Sequence, residues 1–188
     1  MFIKVAGRAR RGWTLVEMMV GVGIFSILGA ALASVSLYSL RSFVAISNYA
    51  LLNKENRLAM DRMSLEIRQA SHVNNVTTNP PSISLLNGEG LTVIYTFNPR
   101  TRQLVRDASD GSHQVLLKNC DLLTFDLRQR NPSNGVWGIF PPATGQWRET
   151  TKAIELSWRT SMTISPTTRI TSENVQTARI VLRKQKLY

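Results

Sequence analysis

The chain has 188 residues, with 23 Lys and Arg against 12 Asp and Glu, giving a formal net charge of +11. Its single cysteine, Cys120, excludes an intrachain disulfide framework, and its two histidines, His72 and His113, lie too far apart for zinc-site spacing. No Gly-rich phosphate loop and no Gly-x-Ser-x-Gly elbow occurs, so the composition predicts no catalytic residues, no metal site and no cofactor.

The first twelve residues carry Lys4, Arg8, Arg10 and Arg11 and no acidic residue. From residue 18 to residue 40 there is then no charge, until Arg41. At about 1.5 Å per residue that stretch is long enough to cross a hydrocarbon core of about 30 Å. The basic leader places the N-terminus inside and the rest outside by the positive-inside bias. An ordinary secretory signal has a shorter apolar core with its cleavage site beyond it. Here the processing point lies ahead of the apolar segment, at Gly12-Trp13-Thr14-Leu15-Val16-Glu17. Glu17 is a carboxylate at the mouth of a membrane-length segment, where an acidic residue at the helix centre costs about 2.5–3.5 kcal/mol. It therefore calls for a partner.

That arrangement resembles the type III signal of type IV prepilins and pseudopilins: a basic leader, a Gly, an aromatic residue, Thr-Leu-(Ile/Val)-Glu, then an apolar helix. The one departure is Trp13 where Phe is usual. The resemblance implies that a prepilin peptidase cuts between Gly12 and Trp13 and methylates the freed Trp13 amine. It further implies that Glu17 of an incoming subunit pairs with the terminal amine of a neighbour during assembly. A pairing within one helix is also possible, since positions 13 and 17 lie about one turn apart. Within the apolar segment, Gly29/Ala33 and Ala30/Ser34 have the small-xxx-small spacing that lets helices approach closely in lipid.

Beyond Arg41 no Pro or Gly appears through Ser71, so the helix is expected to continue. At 100° per residue, Leu52, Ala59, Met60, Met63, Ile67 and Ala70 share one stripe, with Lys54, Arg57, Asp61 and Arg68 on the far side. That stripe should pack on the following domain. Leu51, Leu58 and Leu65 form a second line, which either faces another subunit or is covered by a curved sheet. After Ser71 the chain turns polar over residues 74–82, and Pro80-Pro81 rules out helix there. Strands are expected at 82–86, 91–97, 103–106, 114–117, 122–129, 153–164 and 176–183, with a turn at Asn98-Pro99-Arg100-Thr101. Two insertions interrupt them: residues 131–149, whose Trp137, Phe140 and Trp147 are expected to pack over the sheet, and residues 165–174, expected to be an exposed hairpin loop. Cys120 is expected to be buried beside Leu122 and Leu123.

The predicted organisation is α+β, a long N-terminal helix packed on an antiparallel sheet. It comprises a cleaved leader (1–12), the membrane half of the helix (13–41), its amphipathic half (42–71) and a β-rich periplasmic head (72–188). The late run Gln176-Thr177-Ala178-Arg179 adds a weaker resemblance to minor pilins and J-type pseudopilins of type II secretion. The partners implied are a prepilin peptidase, other pilins or pseudopilins, an inner-membrane assembly platform and the membrane itself. Arg100, Arg102 and Arg106, with Arg179, Arg183, Lys184 and Lys186, could attract nucleic acid by charge alone, but no interleaved aromatics accompany them, so they read as solvated faces and nucleic acid is not an expected partner. Asp107-Ala108-Ser109-Asp110-Gly111 reads as a solvated turn rather than a Ca²⁺ loop. The competing function is a singly anchored periplasmic binding module that does not polymerise.

Overall fold

The computed structural model describes residues 12–130, 137–138, 147–165 and 170–183. The chain divides after Phe43 into two compact units. Helix α1, Leu15–Gln69, begins in the first unit and ends in the second.

In the first unit, α1 is apolar on every side. Phe25 (76%), Leu32 (70%) and Tyr38 (73%) are as exposed as their neighbours. The most apolar window of the helix has a mean hydropathy of 2.1 and none of it is buried within the protein. A helix that is apolar all round has no solvated face, which makes lipid or other helices its stable surroundings. Among the described residues it is the one helix long and apolar enough to span a membrane.

In the second unit the same helix becomes one-sided. Leu52, Ala59, Met63, Ile67 and Ala70, which follows its last residue, are at most 1% exposed, and Met60 is partly buried against them, as the periodicity predicts. Lys54, Arg57, Asp61 and Arg68 face solvent. Two residues on the buried stripe are polar: Asn48, 8% exposed, and Asn56, 1% exposed.

The β-structure that covers this stripe comprises two antiparallel sheets rather than the single sheet expected. The first is a meander of β1 (Ala70–Thr78), β2 (Pro81–Asn87), β3 (Thr92–Asn98), β4 (Gln103–Ala108) and β5 (His113–Leu117). The second has the order β7-β6-β8-β9, from β6 (Cys120–Arg130), β7 (Trp137–Gly138), β8 (Ala153–Ser165) and β9 (Ile170–Val181), with a short helix α2 (Trp147–Thr150) preceding β8. One continuous core joins the helix stripe to Tyr95, Phe97 and Leu104 of the first sheet and to Leu123, Leu156 and Trp158 of the second. Along β8 the alternation holds, with Ile154, Leu156 and Trp158 buried and Arg159 exposed.

The split between sheets falls at residues 118–119, and Arg102 bridges it. Its backbone carbonyl accepts from Cys120 N (2.9 Å), while its guanidinium bonds Ser161 O (3.0 Å) and pairs with Asp121 (2.6 Å). Arg102 (φ 53°) and Asn119 (φ 58°) both take left-handed backbone, an uncommon conformation that these long-range bonds hold in place. The expected turn at residues 98–101 is present, with Asn98 Oδ1 accepting from Arg100 N (3.0 Å) and Thr101 N (3.3 Å).

Three sequence expectations require correction. The helix stops at Gln69 rather than Ser71, and the polar stretch after it, where no strand is expected, is strand β1. β1 has register shifts between Ala70 and His72 and between Val73 and Asn75, which break the two-residue alternation that marks a strand in sequence. Pro81 opens β2 opposite Thr78, a position where a missing N–H is tolerated. β9 begins at Ile170, not Gln176, pairing Thr171 with Thr163 and Asn174 with Thr160. Its polar first half lacks the apolar alternation of a strand because neighbours hold it instead: Ser172 is fully buried, and Asn174 Nδ2 donates to Asn53 Oδ1 of α1 (2.5 Å). Residues 166–169 and the side chains of Trp137, Phe140 and Trp147 lie outside the described residues.

Candidate functional site

The site residues Gly12, Trp13 and Glu17 lie at the start of the described residues. Gly12, Trp13 and Thr14 precede the helix, and Trp13 is 78% exposed. Thr14 is the N-cap: its Oγ1 accepts from Glu17 N (3.2 Å) and its carbonyl accepts from Met18 N (3.2 Å). Glu17 reaches back, its Oε2 accepting from Thr14 N (2.8 Å) and Thr14 Oγ1 (3.0 Å). This is a reciprocal capping box, in which two otherwise orphaned backbone donors are satisfied by the side chains of Thr14 and Glu17. The carboxylate also sits at the positive end of the helix dipole.

Thr14 is the residue that the sequence reading did not single out. Its signal was present, since Thr-x-x-Glu before an apolar run is the capping-box pattern. The same four residues carry the Thr-Leu-Val-Glu of the processing motif, and the two readings compete for Glu17. Because the box starts the helix at Leu15, the Gly12–Trp13 bond lies in exposed, non-helical backbone.

Within the apolar segment two hydroxyls bond to carbonyls of their own helix. Ser26 Oγ donates to Val22 O (2.8 Å) and Ser34 Oγ to Ala31 O (2.7 Å), which removes most of the cost of placing them in lipid. The Gly29/Ala33 and Ala30/Ser34 pairs remain exposed. In the second unit, the line of Leu51 (48%), Leu58 (61%) and Leu65 (52%) is left open by both sheets. Of the two sequence alternatives for that line, cover by the sheet is therefore excluded among the described residues.

The remaining candidate groups are engaged structurally. Cys120 is fully buried, as expected, next to buried Leu123 but with Leu122 half exposed, and burial pushes its thiol up to about 12. Asp110 caps the β4–β5 turn by accepting from Ser112 N (2.8 Å), Gly111 there has φ 85°, and Asp107 pairs with His113 (2.6 Å). Of the arginines that suggested a nucleic-acid surface, Arg106 is buried against Glu66, Arg102 clamps the two sheets, and Arg179 pairs with Glu155 (3.2 Å).

The first unit thus defines a class, a chain anchored in a membrane by an apolar N-terminal helix that opens on a Thr-x-x-Glu cap, and the second unit adds the α+β, pilin-like architecture. Residues 7–33 match the family model described as the prokaryotic N-terminal methylation motif. That match identifies the segment as a type IV prepilin-like signal, with processing by a prepilin peptidase and membrane association with pilin-type partners as its implication. No curated protein matches the chain.

Proposed function

We propose that the chain is a minor pilin or pseudopilin that helps assemble or prime a type IV pilus or a type II secretion pseudopilus. A prepilin peptidase cleaves between Gly12 and Trp13 on the cytoplasmic face and methylates the Trp13 amine. The second unit stands in the periplasm, and an inner-membrane platform draws the subunit into the filament. Its work is mechanical rather than catalytic. The observation that carries this proposal is the methylation motif at residues 7–33, joined to a helix exposed on all sides. The exposed leucine line on α1 supports contact with neighbouring helices.

In assembly, Glu17 exchanges its contacts to Thr14 for the terminal amine of a neighbour. Two buried opposite charges are far more tolerable together than apart, so the pairing favours one register. The capping box favours a second reading, in which Glu17 only starts the helix of a singly anchored periplasmic binding module. Glu17→Gln separates the two, because glutamine also serves in a capping box but carries no charge. Under the assembly reading, mass spectrometry finds a chain starting at N-methyl-Trp13 only in cells that hold the peptidase, and both Glu17→Gln and Glu17→Ala fail to enter the filament. An intact leader in both strains, or wild-type incorporation of Glu17→Gln, overturns it.

A further inference from the structure

The second unit contains a cleft of about 200 Å³ that none of the assembly chemistry uses. Its lining is mixed, with apolar Leu85, Leu91 and Val93 beside polar Gln69 and Asn87. Its wall holds two arginines pinned by one carboxylate. Arg106, only 4% exposed, donates from Nε to both oxygens of Glu66 (3.0 Å each) and from Nη1 to Ser112 Oγ (2.8 Å). Arg62 contacts Glu66 through Nε (2.6 Å). The Tyr95 hydroxyl also donates to Glu66, which fixes the carboxylate from a third side.

This leaves nitrogen donors without partners. Arg106 Nη2 has no hydrogen-bond partner among the described residues and keeps access to solvent. The terminal nitrogens of Arg62, whose side chain is 47% exposed, are likewise unpaired there. Both arginines line the cleft, and so does Asp110. Two guanidinium groups face one already neutralised Glu66 and one carboxylate held at a turn, so the four formal charges cancel. A bare anion gains little from such a site. A ligand that presents a carboxylate to the arginines and an N–H to Asp110 matches it, and Leu85, Leu91 and Val93 in the lining supply apolar contact for a side chain. The volume lies below the range of drug-sized pockets, which limits the occupant to roughly one residue.

We propose that this cleft binds an α-carboxylate bearing an apolar side chain and an N–H on the same carbon. That chemistry belongs both to a free apolar amino acid and to the C-terminal residue of a polypeptide. The carboxylate bridges Arg62 and Arg106, the N–H donates to Asp110, and the side chain lies on Leu85, Leu91 and Val93. The site is independent of cleavage, methylation and filament entry.

The test uses the full chain in detergent micelles, titrated with leucine, N-acetyl-leucine and N-acetyl-leucinamide, and read by calorimetry and by the shift in unfolding temperature. At least one of the two carboxylate probes binds and raises the unfolding temperature with concentration, while the amide, which keeps the side chain and N–H, does not. Tighter binding of leucine identifies the free amino acid as the source, and tighter binding of N-acetyl-leucine identifies a chain terminus. Arg62→Ala, a change at a half-exposed side chain, weakens the bound probe about tenfold or more. No binding by either carboxylate at millimolar concentration, equal binding of the amide, or unchanged affinity in Arg62→Ala overturns the proposal.

Discussion

Replacing Asn56 by alanine tests how the helix is keyed to the second sheet. Asn56 Oδ1 accepts from Trp158 Nε1 (2.8 Å), and its Nδ2 donates to Thr160 Oγ1 (2.9 Å). All three residues are 1% exposed. Alanine leaves the indole N–H without a partner and leaves Thr160 only a marginal contact to Asn174 O at 3.5 Å. A buried polar group that loses its partner costs about 1–3 kcal/mol, so two such groups plus the vacated volume predict a loss of about 2–5 kcal/mol. That is a large fraction of the 5–15 kcal/mol that holds an ordinary domain together. The assay is urea unfolding of the full chain in micelles, followed by far-UV circular dichroism. A double-mutant cycle with Trp158→Phe isolates the indole bond, because phenylalanine keeps the ring and lacks the donor. The expected coupling is about 1–2 kcal/mol. A loss under about 0.5 kcal/mol together with an additive cycle would refute the reasoning.

Glu66→Ala leaves the buried Arg106 guanidinium without its counter-charge and is expected to cost about 3–5 kcal/mol, whereas adding Arg106→Met recovers most of that loss in the same unfolding assay. The pKa directions are consistent with this tie: burial and then the bond to Glu66 push the Tyr95 hydroxyl upward, and at Arg106 the lowering effect of burial is outweighed by Glu66 together with Tyr95 and Asp110. Cys120, buried and with its thiol pushed up to about 12, should react with a thiol reagent only as fast as the second unit unfolds; rapid labelling of the native chain would contradict its placement. Burial, followed by the nearby Arg148 charge, holds His72 below its ordinary value of 6.5. The unfolded chain therefore takes up this proton first as pH falls, so the contribution is complete above about 6.5 and is lost on acidification toward the folded-state value. The unfolding temperature should drop on going from pH 7 to 5, and His72→Gln should flatten that part of the profile.

Local physics made the N-terminal half of the molecule legible. An uncharged run long enough for a bilayer and a basic leader are read from contiguous residues, and the Thr-x-x-Glu cap from residues within one turn of each other. The buried stripe from Leu52 to Ala70 follows from the helix period alone. Most strands of the head were also visible, because β-branched and aromatic residues alternate along them.

What the sequence by itself did not decide are choices made by residues distant along the chain. Asn56 is polar and reads as a surface position until Trp158, 102 residues later, supplies the donor that makes its burial tolerable. Arg106 looked like part of a basic surface until Glu66 drew it into the core, 40 residues away. β1 and the start of β9 show no clean alternation because bulges and side-chain bonds, rather than an apolar face, hold them in register. The leucine line at 51, 58 and 65 fits a covered or an open helix face equally well by periodicity. Only the placement of both sheets on the other stripe leaves it open, since the period of a helix marks which faces are apolar and tertiary packing selects the one to be buried.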